Sequence, residues 1–216
     1  VGPSFPESLL TQRKSYVMFV VLEGIDGSGK STQLELVADT LRSSLLNQVR
    51  IQTVKFPVYD SPTGRIIERM LQGGLKSKES CTIFQSLMAI NRREFVYDLI
   101  LKDTILLADR YTLSGLVYGL AQGLPYEWLD AINLALPEPT ITIFLDVPPS
   151  YSFARRPERQ DALEEDPKFI STIYDLYREH LPHGTLIIDG TKPKERVTSE
   201  IVDKILIVNQ SLIYRF

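Results

Sequence analysis

A chain of 216 residues and 24.5 kDa is long enough for one well-filled domain and short for two. A net charge of -3, with 44% hydrophobic and 24% charged residues, excludes both a disordered chain and the global basic field of a nucleic-acid binder. The lone cysteine, Cys81, excludes an internal disulfide and suits a reducing, cytoplasmic setting, and no apolar run approaches the roughly eighteen residues of a membrane span.

Residues 1–15 carry two prolines and no initiating methionine and read as an N-terminal extension or a remnant, with Met18 a candidate original start. Residues 16–216 read as a single domain. Tyr16 to Leu22 is an apolar strand that runs straight into Gly24-Ile-Asp-Gly-Ser-Gly-Lys-Ser31, the G-x-x-x-x-G-K-S spacing of a P-loop. Leu34, Val37, Ala38, Leu41 and Leu45 then put one apolar stripe on a first helix. Ile51 to Phe56 is a second strand, closed by Pro57. Pro62 to Leu71 reads as a short helix ended by Gly73-Gly74, and Ser77 to about Leu101 as a long one capped by Ser77 or Ser80. Along the long helix Phe84, Met88, Arg92 and Phe95 share a face.

Thr104 to Ala108 has the composition of a fully buried strand and delivers Asp109-Arg110-Tyr111 at its carboxyl end. Two helical segments flank Gly123-Leu-Pro125, Thr140 to Leu145 is a fourth strand, and Ser150 to Arg156 is helical. Pro167 to Leu181 is a further helix, Thr185 to Ile188 the last strand, and a closing helix starts at Pro193. Strands alternating with helices in this way predict an α/β fold: a three-layer, doubly wound, five-stranded parallel sheet of the P-loop NTPase type, with ligands at the strands' carboxyl ends.

The P-loop spacing has a physical reason. Gly24, Gly27 and Gly29 let the backbone N–H groups curl inward around a phosphate, and the following helix adds its positive N-terminus. Lys30 supplies a point charge and Ser31 a hydroxyl for Mg2+. Asp109 has the placement of a second carboxylate on the Mg2+ side, or alternatively of a cap for the next helix. Arg155-Arg-Pro-Glu-Arg159 mixes arginines with acids and lacks a core pattern, the composition of a lid, at about 155–166, that closes over phosphates. His180 and His183 fall in no motif.

Taken together, Leu22-Glu-Gly-Ile-Asp-Gly-Ser-Gly-Lys-Ser-Thr-Gln33, Lys55-Phe-Pro57, Ala89-Ile-Asn-Arg-Arg93 and Asp109-Arg-Tyr-Thr-Leu-Ser-Gly115 resemble the thymidylate kinase family, from about Tyr16 to Leu206. The resemblance implies ATP binding by Gly24, Ile25, Asp26, Gly27, Ser28, Gly29, Lys30, Ser31 and Thr32, with Mg2+ at Ser31 and Asp109. It implies that Asp26 hydrogen-bonds the 3′-hydroxyl of dTMP, that Arg110 reaches the acceptor phosphate and the group in transit, and that Arg92 contacts the thymine edge. Phe56, with Pro57, would pack on the acceptor nucleoside, and Ser114, Gly115 and Tyr118 would wall its pocket and favour a 2′-deoxy sugar. The position after Asp26 is Gly27, so the chain resembles members that carry the cation for transfer in the lid, here Arg156 and Arg159. Asp189-Gly-Thr-Lys-Pro193 resembles the family's late loop near adenine, and the family likeness suggests a homodimer through the long helices.

Two departures bear on the acceptor. Some members follow Phe-Pro with an acid and an arginine for the acceptor phosphate; this chain has Val58-Tyr59, leaving that role to Arg65 or another group. Met88 stands where members can have a phenylalanine stacked on thymine. A kinase for dUMP, a modified pyrimidine nucleotide or another monophosphate is therefore the near alternative. A P-loop nucleotide switch is the distant one, since no Asn-Lys-x-Asp motif is present.

Overall fold

Apolar runs of six or seven residues, too short for helices and rich in β-branched side chains, become the interior strands of one parallel sheet. The computed structural model describes residues 17–45, 49–100, 103–155 and 166–214. In chain order the elements are β1 (Val17–Glu23), α1 (Lys30–Ser44), β2 (Arg50–Lys55), α2 (Pro62–Gly73), α3 (Lys78–Leu99), β3 (Thr104–Asp109), α4 (Thr112–Ala121), α5 (Tyr126–Ile132), β4 (Ile141–Asp146), α6 (Pro149–Arg155), α7 (Pro167–His180), β5 (Leu186–Asp189) and α8 (Lys194–Tyr214).

The strands are parallel in the order β2-β3-β1-β4-β5. Alternation along β1 assigns the two faces. Met18, Val20 and Leu22 pack with Val37, Ala38 and Leu41 of α1 and Val197, Ile201 and Ile205 of α8. Phe19 and Val21 point the other way, onto Val96 of α3 and Tyr111. Further along that second face, Phe144 of β4 meets Val117 of α4 and Ile170, Ile173 and Tyr177 of α7. Each such fully buried aliphatic or aromatic side chain contributes roughly 1.5–3 kcal/mol relative to exposure. No helix among the described residues is long and apolar enough to cross a membrane.

Local chemistry sets the boundaries. Ser77 caps α3 by accepting from Ser80 N, and the Ser80 hydroxyl returns a bond from Ser77 N, so both of the expected serines take part. Ser61 caps α2, with Pro62 in its first turn. β2 ends at Lys55, one residue before the expected Phe56, whose N–H still donates to Asp109 O at 3.0 Å. The helix expected from Ser150 to Arg156 spans Pro149–Arg155, and position 156 lies outside the described residues. Because β1 and β3 are adjacent and parallel, Leu22 pairs with Asp109, and on the other side of β3 Lys55 also pairs with Asp109. Three loops that carry charged residues therefore leave the sheet side by side.

Candidate active site

The turn after β1 takes the conformation that its glycines permit. Gly24, Gly27 and Gly29 have φ of 150°, 77° and 96°, values that other L-residues rarely adopt, and Gly29 forms the N-cap of α1. Lys30 lies across this loop, donating from Nζ to Gly24 O and Ile25 O, both at 2.9 Å. It is buried, 5% exposed, and burial followed by repulsion from Arg110 pushes its ammonium down to about 8, against the attraction of Asp109, Asp26 and Glu23. The loop borders a cavity of about 380 Å3 lined by Asp26, Gly27, Gly29 to Thr32, Lys55, Asp109, Arg110 and Arg155.

At the cavity floor the Ser31 hydroxyl donates to Asp109 Oδ2 at 2.6 Å. Asp109 Oδ1 is buried and has no hydrogen-bond partner, although Asp109 itself is only 1% exposed. A carboxylate oxygen left bare beside a hydroxyl is a donor set that fits Mg2+, which takes few protein oxygens and completes its shell with phosphates and water. Lys55 reaches the same point, Nζ to Ser31 Oγ at 3.4 Å.

Arg110 follows directly, and its backbone, at φ 69°, is in the left-handed region, which for a non-glycine residue costs roughly 1–2 kcal/mol. The turn is held by Arg110 N donating to Leu22 O at 2.9 Å. It delivers the guanidinium to Asp26: Nη2 donates to Asp26 Oδ1, and Tyr118 OH donates to Asp26 Oδ2 at 2.7 Å. Burial opposes ionisation of Asp26, but the charges of Arg110 and Lys30, with hydrogen bonds from Tyr118 and Arg110, outweigh it and hold the carboxyl well below the usual range. The other end of Arg110, Nη1, donates to Ser114 Oγ at 3.2 Å and to Tyr177 OH at 3.4 Å. Its guanidinium also lies 5.2 Å from the centre of the Tyr118 ring.

Behind this pair sits Arg92, 1% exposed on α3. Nη1 donates to Asn133 Oδ1 at 3.3 Å, whereas Nε and Nη2 are buried without a hydrogen-bond partner. Burial lowers its ordinary value to about 10, and Glu23 is the leading group opposing the shift. Gly115 allows the close approach: a Cβ there would stand 2.7 Å from Arg92 Nη2. Phe56 is 1% exposed and backed by the Tyr111 ring, centroids 5.8 Å apart, and the Phe56-Pro57 peptide is cis.

The structure thus brings Asp26, Lys30, Ser31, Asp109 and Arg110 together around one cavity, and Ser114 and Tyr118 join them by hydrogen bonds. Met88 is buried between α2 and α3 with Ile67 and Phe84. Arg65 is exposed on the first turn of α2 and does not line the cavity. Arg156 and Arg159 lie outside the described residues. Their neighbour Arg155 lines the cavity and donates to Gly190 O at 2.9 Å, which brings the expected late loop against the P-loop side.

The sequence reading gave no site role to three residues here. Lys55 could have been found from its place at a strand end. Asn91, fully buried, accepts from Val58 N and donates to Val58 O, Ser61 Oγ and Thr63 Oγ1, pinning the loop after β2; it lay inside the quoted Asn-Arg motif. Glu23, at 0% exposure, was visible only as the acid that ends an apolar strand.

A five-stranded parallel sheet whose P-loop is joined through its own aspartate to an arginine from the neighbouring strand end belongs with the P-loop nucleotide-binding proteins. The thymidylate kinase family profile matches residues 22–201. Thymidylate kinase of Schizosaccharomyces pombe is 31% identical over 198 residues, covering 88% of this chain and 92% of that protein. That of Plasmodium falciparum is 30% identical over 202 residues, covering 91% and 93%. The solved thymidylate kinase of Candida albicans shares the fold, with a TM-score of 0.77 at 24% identity over 91% of this chain and 94% of that one. The chain belongs to the thymidylate kinase family.

Proposed function

We propose that residues 16–216 form one kinase domain that transfers the γ-phosphoryl group of ATP to dTMP, giving ADP and dTDP. A phosphate oxygen of dTMP bonds to the γ-phosphorus as the bond from that phosphorus to the β,γ-bridging oxygen breaks, leaving on ADP. The attacking oxygen is already ionised near neutral pH, so no general base is needed. The protein's work is to make the meeting of two anions tolerable and to exclude water. Lys30 and the loop amides from Gly24 to Thr32 hold the ATP phosphates, and Arg110 bridges toward the acceptor phosphate. Arg156 and Arg159, in a lid at about 155–166, supply the remaining positive charge. Ser31 and Asp109 would hold Mg2+, which when bound would supply charge neutralisation on the ATP phosphates.

The observation that carries this reading is the Asp26–Arg110 ion pair, which ties the loop for the donor to the strand end that faces the acceptor. Asp26, held ionised beside Arg110, would accept from the sugar 3′-hydroxyl, which suits a carboxylate facing a donor. Arg92, with two buried nitrogens unpartnered, suits a base that offers carbonyl oxygens along its edge. Phe56, Pro57 and Met88 give apolar contact to the nucleoside, and Ser114, Gly115 and Tyr118 close the pocket at the sugar. Coupled ADP release with dTMP, dUMP, dCMP, dGMP and dAMP side by side tests the reading. dTMP is expected to lead, and a preference for dUMP or another monophosphate moves the assignment to that acceptor.

A homodimer in the cytoplasm completes the proposal. Ile83, Ile90 and Tyr97, spaced by seven along α3, are 55%, 52% and 50% exposed, and Ile66 on the adjoining α2 is 47% exposed. Sedimentation velocity is expected to give twice the chain mass, and a monomer at micromolar concentration rejects the dimer.

A further inference from the structure

Glu23 is the buried charge that the proposed mechanism does not use. It ends β1, one residue before the P-loop glycine, is fully buried, and takes four hydrogen bonds. Oε1 accepts from the backbone N–H groups of Tyr111 at 2.9 Å and Ser114 at 3.3 Å. The N-cap residue of α4, Tyr111, makes no side-chain cap of its own, so a carboxylate from the neighbouring strand serves that helix end. Oε2 accepts from Ser114 Oγ at 2.6 Å and from Tyr177 OH at 2.9 Å. Those two hydroxyls, 2.7 Å apart, are the same two that Arg110 Nη1 donates to.

We infer that Glu23 is a positioning residue for Arg110, acting by fixing the direction of two hydroxyl protons. Glu23 accepts from four donors, so the Ser114 and Tyr177 protons are directed to it and into the 2.7 Å hydrogen bond between the two hydroxyls, which leaves lone pairs facing Arg110. The guanidinium N–H groups only donate and need those lone pairs. One end of Arg110 is thereby held by the two hydroxyls together with Gly24 O, and the other by Asp26 and Tyr118 OH, which fixes the cation in the crevice before any nucleotide arrives. An amide at position 23 would keep the shape and the cap at Oε1, but its NH2 would donate to the hydroxyls; one of their protons stays in the bond between them, and the other turns toward Arg110 and sets donor against donor.

The inference rests on the kinase reading for its rate measurements but not for its spectroscopy. In nucleotide-free protein, 1H–15N NMR of Arg110 is expected to show Nη1 protons exchanging with water roughly tenfold faster in Glu23→Gln than in the wild type, from loss of two charge-assisted bonds. Unchanged exchange overturns the inference whatever the enzyme phosphorylates. In turnover, Glu23→Gln should lower kcat/KM for dTMP by roughly tenfold at an unchanged KM for ATP. In a Ser114→Ala/Tyr177→Phe background, which has no hydroxyls to turn, the same substitution should cost less than about twofold more. An equal loss in both backgrounds would make Glu23 a helix cap alone and overturn the proposal. Should Glu23→Gln fail to fold, Tyr177→Phe by itself is expected to speed Nη1 exchange and lower dTMP use, and wild-type behaviour of that variant overturns it as well. A wild type inactive on dTMP with Nη1 exchange still responsive to position 23 sinks the acceptor assignment and leaves this inference standing.

Discussion

The P-loop and the buried Arg92 of α3 satisfy their polar groups to different degrees. Around the P-loop the chain mostly partners itself: Lys30 bonds two loop carbonyls and Ser31 bonds Asp109, with Asp109 Oδ1 left over. Arg92 is more deeply buried than Lys30, 1% against 5% exposed, and keeps two nitrogens without a partner. Leaving a buried donor unmatched costs about 1–3 kcal/mol, and more for a charged one. On the proposed reading, the two unpartnered nitrogens of Arg92 hold a cost in the free protein that an acceptor base with matching oxygens would relieve, and the unpartnered Asp109 Oδ1 is the smaller counterpart on the ATP side. On that reading the acceptor side would be the selective one, because a ligand lacking those acceptors would leave the cost in place.

The contrast can be broken from the donor side first. Lys30→Ala is expected to reduce turnover by about 10³-fold or more, since a fixed cation at the site of charge development is lost. Coupled ADP release measures it, and near-normal turnover would remove Lys30 from the chemistry. The acceptor side predicts something different. Arg92→Met fills much of the same space without charge, so it should weaken dTMP use by roughly 10–100-fold while leaving the KM for ATP unchanged. The same variant should raise the thermal midpoint of the free protein, because an incompletely partnered buried cation has gone. A lower midpoint would mean that Arg92 is held for stability and that the cost described above does not exist.

How much of this was legible beforehand follows from which signals are local. The strands, the cap at Ser77 and the P-loop are written in short windows, so the sequence places them to within a residue or two. Asp109 and Arg110 could be placed because a buried parallel strand must deliver its last residues to the ligand edge. Tyr177 could not. It sits on α7 in an apolar stripe like Ile170 and Ile173, and only the fold brings its hydroxyl to Glu23, 154 positions earlier. Val58-Tyr59 leaves the phosphate role to Arg65 or another group, but a helix places its first turn by its cap, and the Ser61 cap leaves Arg65 exposed. Lys55 was quoted as part of a motif without a role, since only the register with Asp109 shows that its ammonium comes to Ser31.

The smallest expected effect is in pH, and it separates the two sides without mutation. The free enzyme's Lys30 sits at about 8, below its ordinary 10.5, so the ammonium that meets ATP is lost as pH rises through about 8. kcat/KM for ATP reports the free enzyme and should fall above that point, approaching tenfold per pH unit. Bound phosphates favour the charged form and raise the Lys30 value, so kcat at saturating ATP should stay level to higher pH. Stability moves the other way. With the folded value below the unfolded one, the unfolded chain binds more protons between about 8 and 10.5, and this lysine's contribution favours the folded state as pH rises through that window. A fall in kcat/KM for ATP with an undiminished thermal midpoint is thus the signature of Lys30 losing its proton rather than of unfolding. A kcat/KM that stays flat to about pH 9.5 would place the ammonium outside the step that captures ATP.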